Sequence, residues 1–332
     1  MVAVVGPTAS GKSAIALEVA MALRPGAPAP GLPAVELVSV DSMAVYRGMD
    51  IGTAKPSAEV RALVAYHLVD LVEPSEEFTV QQFQAAALPA LDGIAARGNG
   101  ALLVGGTGLY LRAVVDDLSF PERFPEVAAD LNRCLDAAGG GDDPGYRTAL
   151  ADLHRRLSLV DPVAAARVDP SNRRRLVRAL EVTIGSGRPF SSYGPGLERY
   201  PPTEVTLVGV RLEPHVLDRR IAERFDRLME QGLLEEVRRL VAAPGGLSRT
   251  ARQALGYREL LSHLEDGVTL DRAVDQAVQR TRAFARRQVA WFRRDPRIVW
   301  LGPEDDVAAS ITGLLRPVPH GTESVGDLTP PS

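Results

Sequence analysis

The 332-residue sequence contains one cysteine, only two lysines and few aromatic residues. Cys134 has no second cysteine with which to form an internal disulfide, and cysteines alone cannot supply a zinc site. Aromatic residues make up 5% of the chain, so aliphatic side chains must provide most of the core. No apolar run approaches the roughly 20 residues that span a bilayer, and the N-terminus lacks the basic segment of a signal peptide. We therefore expect a cytoplasmic protein with no membrane contact.

Basic residues are fewer than acidic ones, 38 against 42, so the formal net charge is −4. This value by itself argues against a nucleic-acid partner, but local patches matter more than the mean. Two segments are locally basic, 172–178 and 279–297, and the second holds seven arginines against one aspartate. A general bias toward arginine would explain them equally well, so composition alone does not decide the partner.

The hydrophobic pattern alternates between short apolar runs and segments with helical periodicity. We predict strands at 2–5, 36–40, 101–106 and 204–212, a helix at about 79–97, and long amphipathic helices at about 214–242 and 271–293. Strands that alternate with helices indicate an α/β fold with a parallel sheet. Such a sheet binds ligands beyond the carboxyl ends of its strands, and Gly6, Asp41 and Gly105 each follow such an end.

The first strand leads directly into a glycine-rich loop that satisfies the pattern G-x-x-x-x-G-K-[S/T]. The glycines let backbone N–H groups converge on an anion, while the following helix and Lys12 add positive charge. Ser13 is placed to hold Mg²⁺. The loop predicts binding of a diphosphate or triphosphate without identifying the rest of the ligand. The residues concerned are Gly6, Pro7, Thr8, Ala9, Ser10, Gly11, Lys12 and Ser13.

A nucleotide hydrolase with this loop usually carries an aspartate at the end of a later core strand. Here the strand at 101–104 is followed by Gly105 to Tyr110, which include no acid. The nearest carboxylate is Asp41, at the end of the second strand. An aspartate before a serine is also a good helix N-cap, so position alone leaves both interpretations open.

Between about 120 and 200 the sequence is helical in pattern and contains no convincing strand. We predict an α/β core of the P-loop nucleoside-triphosphate-hydrolase type at 1–118 and 201–316, with a helical insertion domain at 119–200. The Pro- and Gly-rich stretch 24–33 predicts a surface loop, and the polar segment 317–332 predicts a disordered tail.

Seven ordered segments, which together extend over nearly all of residues 1–294, resemble the tRNA dimethylallyltransferase (tRNA isopentenyltransferase) family of bacterial type. They are GPTASGKS, SVDSMAVYRGMDIGTAKP, GGTGLYLRAV, DPVAAARVDPSNRRRLVRALEV, RIAERFDRLMEQGLLEEVRRL, QALGYRE and RRQVAWFRR. A kinase would share only the first of these segments. The resemblance is therefore far more specific than the glycine loop.

The resemblance implies transfer of a dimethylallyl group from dimethylallyl diphosphate to N6 of adenosine 37, beside the anticodon, in tRNAs that read codons starting with U. The glycine loop would hold the diphosphate, with Mg²⁺ neutralising the leaving group. By match to the family motif, Asp41 would accept the proton of the amine, and Thr107 would form a hydrogen bond in the reaction channel. Arg220, with Arg224, would contact diphosphate or tRNA phosphate.

The anticodon loop is single-stranded, and the target base must leave its stack to reach a buried electrophile. The resemblance implies that a monomeric enzyme binds the anticodon stem-loop, with the insertion domain taking part. The residues that would contact tRNA are Asp41, Ser42, Met43, Ala44, Thr107, Arg173, Arg174, Arg175, Arg224, Arg258, Arg287, Gln288, Trp291 and Arg293. Trp291 and Phe292 could equally be core residues, the commoner fate of helix aromatics.

The sequence departs from the family at Ala44, where glutamine is common, and at Ala128, where some members carry a basic residue. Both departures concern tRNA contacts and leave the glycine loop unchanged. Three rival functions remain at this point. They are a small-molecule or nucleoside kinase, a non-catalytic RNA-binding protein, and a prenyltransferase acting on free adenine nucleotides.

Overall fold

The computed structural model describes residues 1–24, 32–141, 143–194 and 196–315. Contacts divide the chain into two compact units, Met1–Val115 with Thr203–Ser332, and Asp116–Pro202. The sequence pattern predicts the helical insertion at 119–200, within a few residues of these boundaries. Most of the predicted loop at 24–33, and the predicted tail at 317–332, lie outside the described residues. None of the described helices is long and apolar enough to cross a membrane.

The regular elements follow one another in a largely alternating order. The strands are β1 Val2–Val5, β2 Val35–Val40, β3 Tyr66–His67, β4 Gly100–Gly105, β5 Thr206–Val210 and β6 Ile298–Leu301. The helices are α1 Lys12–Ala22, α2 Ala58–Leu63, α3 Val80–Ala96, α4 Gly108–Val115, α5 Pro125–Ala137, α6 Pro144–Val160, α7 Pro162–Ala165, α8 Arg173–Ser186, α9 Pro214–Glu230, α10 Leu233–Ala242, α11 Tyr257–Asp266, α12 Leu270–Phe292 and α13 Val307–Leu314.

The first unit is built on a parallel sheet with strand order β3-β2-β4-β1-β5-β6. Successive residues of β1 pack on opposite faces, because Ala3 and Val5 belong to one hydrophobic cluster and Val2 and Val4 to another. Helices α1 and α13 cover one face, whereas α3, α4, α10, α11 and α12 cover the other. A sheet buried on both faces needs such continuous apolar strands. The predicted α/β fold with a parallel sheet is confirmed.

Several elements differ from the sequence prediction. The helix predicted at 214–242 is two helices, because Gly232 adopts a left-handed conformation (φ 94°) that ends α9 and N-caps α10. The strand predicted at 204–212 is shorter, Thr206–Val210. Strands β3 and β6 are absent from the sequence prediction, and β3 has only two residues, too few to show a period.

The second unit comprises α5 to α8 around a leucine-rich core that includes Leu135, Leu157 and Leu180. Asp161 is buried and holds the start of α7 through its carboxylate, which accepts the Ala164 N–H at 3.0 Å. The same carboxylate accepts the N–H and hydroxyl of Ser191. All regular structure in the described part of this unit is helical.

Candidate active site

The loops that follow β1, β2 and β4 emerge together at the carboxyl edge of the sheet. Strand β4 lies between the other two, and Gly105 is in register with both Val5 and Val40. The residues that come next are therefore brought side by side, although they are far apart in sequence. A crevice at this edge is where open α/β sheets bind ligands.

The loop between β1 and α1 leaves backbone N–H groups available for an anion. Gly11 is the N-cap of α1 in a left-handed conformation (φ 95°), and no side chain caps the helix. The first-turn N–H groups consequently have no intrahelical partner, and the positive end of the helix dipole lies there. The Ser10 hydroxyl is buried without a hydrogen-bond partner among the described residues. These features fit a phosphate cradle, as the sequence predicts.

Lys12 lies inside this loop, and its Nζ donates a hydrogen bond to Pro7 O at 3.1 Å. Burial lowers the pKa of Lys12 to about 8; the negative charge of Asp41 opposes this effect, and Arg224 adds to it. The amine is thus charged at neutral pH while bonded to a single neutral carbonyl. An incoming anion would provide a stronger partner for it.

Asp41 follows β2 and is held through one of its two carboxylate oxygens. Its Oδ1 accepts the N–H of Met43 at 2.8 Å and that of Ala44 at 3.3 Å. No helix begins at this point, since residues 42–54 form turns, so Asp41 is not the helix N-cap of the alternative interpretation. No donor among the described residues bonds Oδ2. The half-buried carboxylate lies near enough to Lys12 and Arg224 to influence the pKa of both.

Thr107 joins the turn after β4 to the end of β2. Its Oγ1 accepts the Ser42 N–H at 3.2 Å, and its own N–H donates to Val40 O at 3.3 Å. The Thr107 hydroxyl proton remains available for a further acceptor. Thr107 and Asp41 thus lie at the same short turn, and their place in a reaction channel stays a prediction.

Arg220 and Arg224 lie four residues apart on α9, and therefore on one face of that helix. Arg224 donates to the Thr8 hydroxyl at 3.2 Å, and Arg220 donates to Ser10 O at 3.5 Å. Burial lowers the pKa of Arg224, with the charge of Asp41 acting in the opposite direction. Both guanidinium groups consequently lie against the phosphate loop.

Residues 44–295 match the family model described as IPP transferase. The chain belongs to the IPP transferase family. It is 43% identical over 305 residues to the tRNA dimethylallyltransferase of Desulforudis audaxviator, covering 92% of each chain. It is 42% identical over 322 residues to that of Geobacter metallireducens, covering 95% of this chain and 97% of the relative.

A solved structure, the full-length tRNA isopentenylpyrophosphate transferase from Bacillus halodurans, has a TM-score of 0.64 and 35% identity to this chain. The match covers 95% of this chain and 94% of the solved one. The family resemblance predicted from the sequence and the predicted P-loop-type core are both confirmed.

The other residues that the IPP transferase resemblance assigns to tRNA contact occupy different environments. Arg258, Arg287 and Arg293 are exposed on or just after α11 and α12. In the second unit Arg174 and Arg175 are exposed. Arg173, by contrast, forms an ion pair with Asp136 at 2.7 Å and bonds Asn132.

Five of the assigned residues contact the protein itself. Ser42 and Met43 are half-buried in the turn after β2, and Ala44 is buried beside them. Gln288 is buried on α12, with both ends of its amide hydrogen-bonded within the protein. The ring of Trp291 is half-buried and packs against the core. Their predicted tRNA contacts remain predictions.

Sequence reasoning missed Glu236, which organises the segment after Asp41. Its buried carboxylate accepts the N–H groups of Asp50, Ile51 and Gly52 and the hydroxyl of Tyr257. A signal was present, because Glu236 interrupts the apolar stripe of α10 formed by Leu233, Val237 and Leu240. A carboxylate in such a stripe needs buried hydrogen-bond donors.

Proposed function

We propose that the chain transfers the dimethylallyl group from dimethylallyl diphosphate to N6 of adenosine 37, next to the anticodon, in tRNAs reading codons that start with U. The products are N6-isopentenyladenosine and diphosphate. One observation carries the proposal. An anion-binding loop with Lys12 and a carboxylate with an unbonded oxygen, Asp41, meet at one edge of the sheet in a member of the IPP transferase family.

The chemistry follows from the charges at this edge. The bond between the allylic C1 and the diphosphate oxygen breaks, and the bond between N6 and C1 forms. Negative charge that develops on diphosphate would be stabilised by the loop N–H groups, Lys12, Arg220 and Arg224. The exocyclic amine is a poor nucleophile until it loses its proton, which Oδ2 of Asp41 would accept.

Mg²⁺ would assist by neutralising the diphosphate leaving group. The Ser13 hydroxyl is exposed at the start of α1 and has no hydrogen-bond partner among the described residues. Within the described ranges, no three His, Cys, Asp or Glu side chains cluster as a metal site. A set of one hydroxyl with substrate oxygens and water suits Mg²⁺, which usually keeps several waters and binds through substrate phosphates.

We assign tRNA phosphate contacts to exposed arginines of each unit taken by itself, Arg258, Arg287 and Arg293 in the first and Arg174 and Arg175 in the second. Their guanidinium groups can pair with phosphates and so position the anticodon stem-loop. The target adenine would be extruded to reach the crevice. We place the reaction in the cytoplasm and expect the chain to act as a monomer.

The direct test incubates the protein with unmodified tRNA, radiolabelled dimethylallyl diphosphate and Mg²⁺, followed by digestion and identification of the labelled nucleoside. Parallel reactions offer AMP as the acceptor or ATP as the donor. Label in isopentenyladenosine from tRNA supports the proposal. Label mainly on AMP would indicate a prenyltransferase of free nucleotides. Phosphate transfer from ATP would indicate a kinase, and tRNA binding without any product would indicate a non-catalytic RNA-binding protein.

Asp41→Asn tests the assigned base without disturbing the turn, because asparagine retains the Oδ1 acceptor for Met43 and Ala44. We expect turnover to fall roughly 10²–10⁴-fold with little change in tRNA affinity. Asp92→Asn, which alters an exposed aspartate on α3, serves as the control. An unchanged rate for Asp41→Asn would remove this residue from the mechanism.

A further inference from the structure

Gln288 connects two loops of the candidate active site. Its side chain lies on α12 and is 7% exposed. Oε1 accepts the Thr8 N–H at 2.8 Å, and Nε2 donates to Gly106 O at 2.8 Å. One planar amide therefore holds the phosphate loop on one side and the turn before Thr107 on the other.

The turn after β4 is shaped to receive α12. A Cβ atom on Gly106 would lie 2.2 Å from Nε2 of Gln288, so only glycine allows this approach. Trp291, one helical turn further on, lies over Gly108, where an added Cβ would be 2.1 Å from its Nε1. The helix thus contacts residues 106–108 through two neighbouring side chains of one face.

The two hydrogen bonds extend the sheet pairing into the site. The ladder between β1 and β4 ends at Val5 and Gly105. Beyond that point Gln288 links the segments that follow the two strands, because Gly106 is one residue past β4 and Thr8 is three residues past β1. Thr8 is also held from α9, because its hydroxyl accepts from Arg224 at 3.2 Å. The Thr8 N–H itself donates to Gln288 and is therefore not available to an anion.

We propose that Gln288 is a positioning residue that fixes the distance between the phosphate loop and the turn that carries Thr107. The inference deepens the proposed function and rests on it, since these two loops would hold the donor diphosphate and the acceptor side of the reaction. Misplacement of reacting groups by about 1 Å can cost a factor of 10² in rate. An amide suits this position because it offers one acceptor and a donor in one rigid plane.

Gln288→Met tests the positioning role, because methionine has a similar length and removes both hydrogen bonds. We expect kcat to fall roughly 10- to 100-fold, while Kd values for tRNA and pyrophosphate change less than about threefold. The control is Gln81→Met, which alters an exposed glutamine on α3. A wild-type kcat in Gln288→Met would overturn the proposal. So would weakened tRNA binding with full kcat at saturation, which would make Gln288 an RNA contact.

Gln288→Glu separates hydrogen bonding from packing. A protonated glutamic acid has one acceptor and one donor, as the amide has, whereas the carboxylate only accepts. We expect the kcat of Gln288→Glu, divided by that of wild type, to rise as the pH is lowered from 8 to about 5.5. Lys12, Asp41, Arg220 and Arg224 belong to the same site and are common to both proteins, so Gln288→Met, measured over the same pH range, is the reference for the ratio. A flat ratio, matching that of Gln288→Met, would contradict the assigned role.

Hydrogen exchange gives a readout that needs no activity. We expect the Thr8 amide, followed by NMR or in peptides from residues 6–13, to exchange at least about tenfold faster in Gln288→Met than in wild type or Gln81→Met. Equal exchange rates of the Thr8 amide in all three proteins would refute the positioning role of Gln288. If wild type transfers no prenyl group, the proposed function fails, and the exchange result still decides whether Gln288 holds the loop.

Discussion

Replacement of Glu236 by glutamine should destabilise the first unit more than any ordinary surface substitution. The carboxylate is 2% exposed and accepts four hydrogen bonds. Oε2 binds the N–H groups of Asp50 and Ile51 at 3.0 and 2.8 Å, and Oε1 binds the Gly52 N–H at 3.2 Å and the Tyr257 hydroxyl at 2.5 Å. A glutamine amide would keep its oxygen toward Asp50 and Ile51 and turn its NH₂ group toward the Tyr257 hydroxyl, which can accept from it, and toward the Gly52 N–H, which cannot.

The magnitude follows from the number of bonds lost. A hydrogen bond to a charged group contributes about 1.5–3 kcal/mol, so the loss of the bond from Gly52 gives a decrease of about 1.5–3 kcal/mol in the free energy of unfolding. Arg239, 4.0 Å away and exposed, adds little. Because the residues bound by Glu236 follow Asp41 in the chain, the same change should also lower turnover.

Urea unfolding monitored by circular dichroism measures the effect. The neighbouring Glu235→Gln is the matched control, since Glu235 is exposed and pairs with Arg238 on its own helix. It should change stability by less than about 0.5 kcal/mol. If the two variants unfold at the same urea concentration, the four hydrogen bonds do not support the segment after Asp41 as argued.

Three further predictions concern the charged side chains Lys12 and Arg287. Because the pKa of Lys12 is lowered to about 8, pyrophosphate affinity should fall up to about tenfold per pH unit above 8, and Lys12→Ala should abolish that slope in calorimetry. The same shift makes the folded state bind fewer protons than the unfolded state, so Lys12 makes unfolding free energy rise with pH between about 8 and 10.5. Arg287→Ala should weaken tRNA binding and reduce its salt slope by about one. Arg272→Ala, at the distant start of α12, is its control, and an unchanged slope in Arg287→Ala would mean that the RNA surface lies elsewhere.

The elements and contacts that the sequence did not predict depend mostly on residues far apart in the chain. Strand β3 has too few residues to establish a period, and both β3 and β6 are defined by the strand with which each one pairs. The predicted single helix at 214–242 breaks because Gly232 adopts a left-handed conformation, which an amphipathic pattern does not reveal. The position of Glu236 in the apolar stripe of α10 indicates a buried carboxylate, but no sequence pattern identifies residues 50–52 as its hydrogen-bond partners.

The amino-acid sequence by itself determined the strand, glycine loop and helix at the N-terminus, because their geometry depends on residues that are neighbours along the chain. It also determined the alternating pattern that makes the sheet parallel. Only the tertiary structure decided that Asp41 lies beside Lys12 and Arg224 and that Gln288 holds Thr8 and Gly106. Those contacts join segments far apart in sequence, and they form only when the helices pack against the sheet, since no local propensity encodes the distance between two loops.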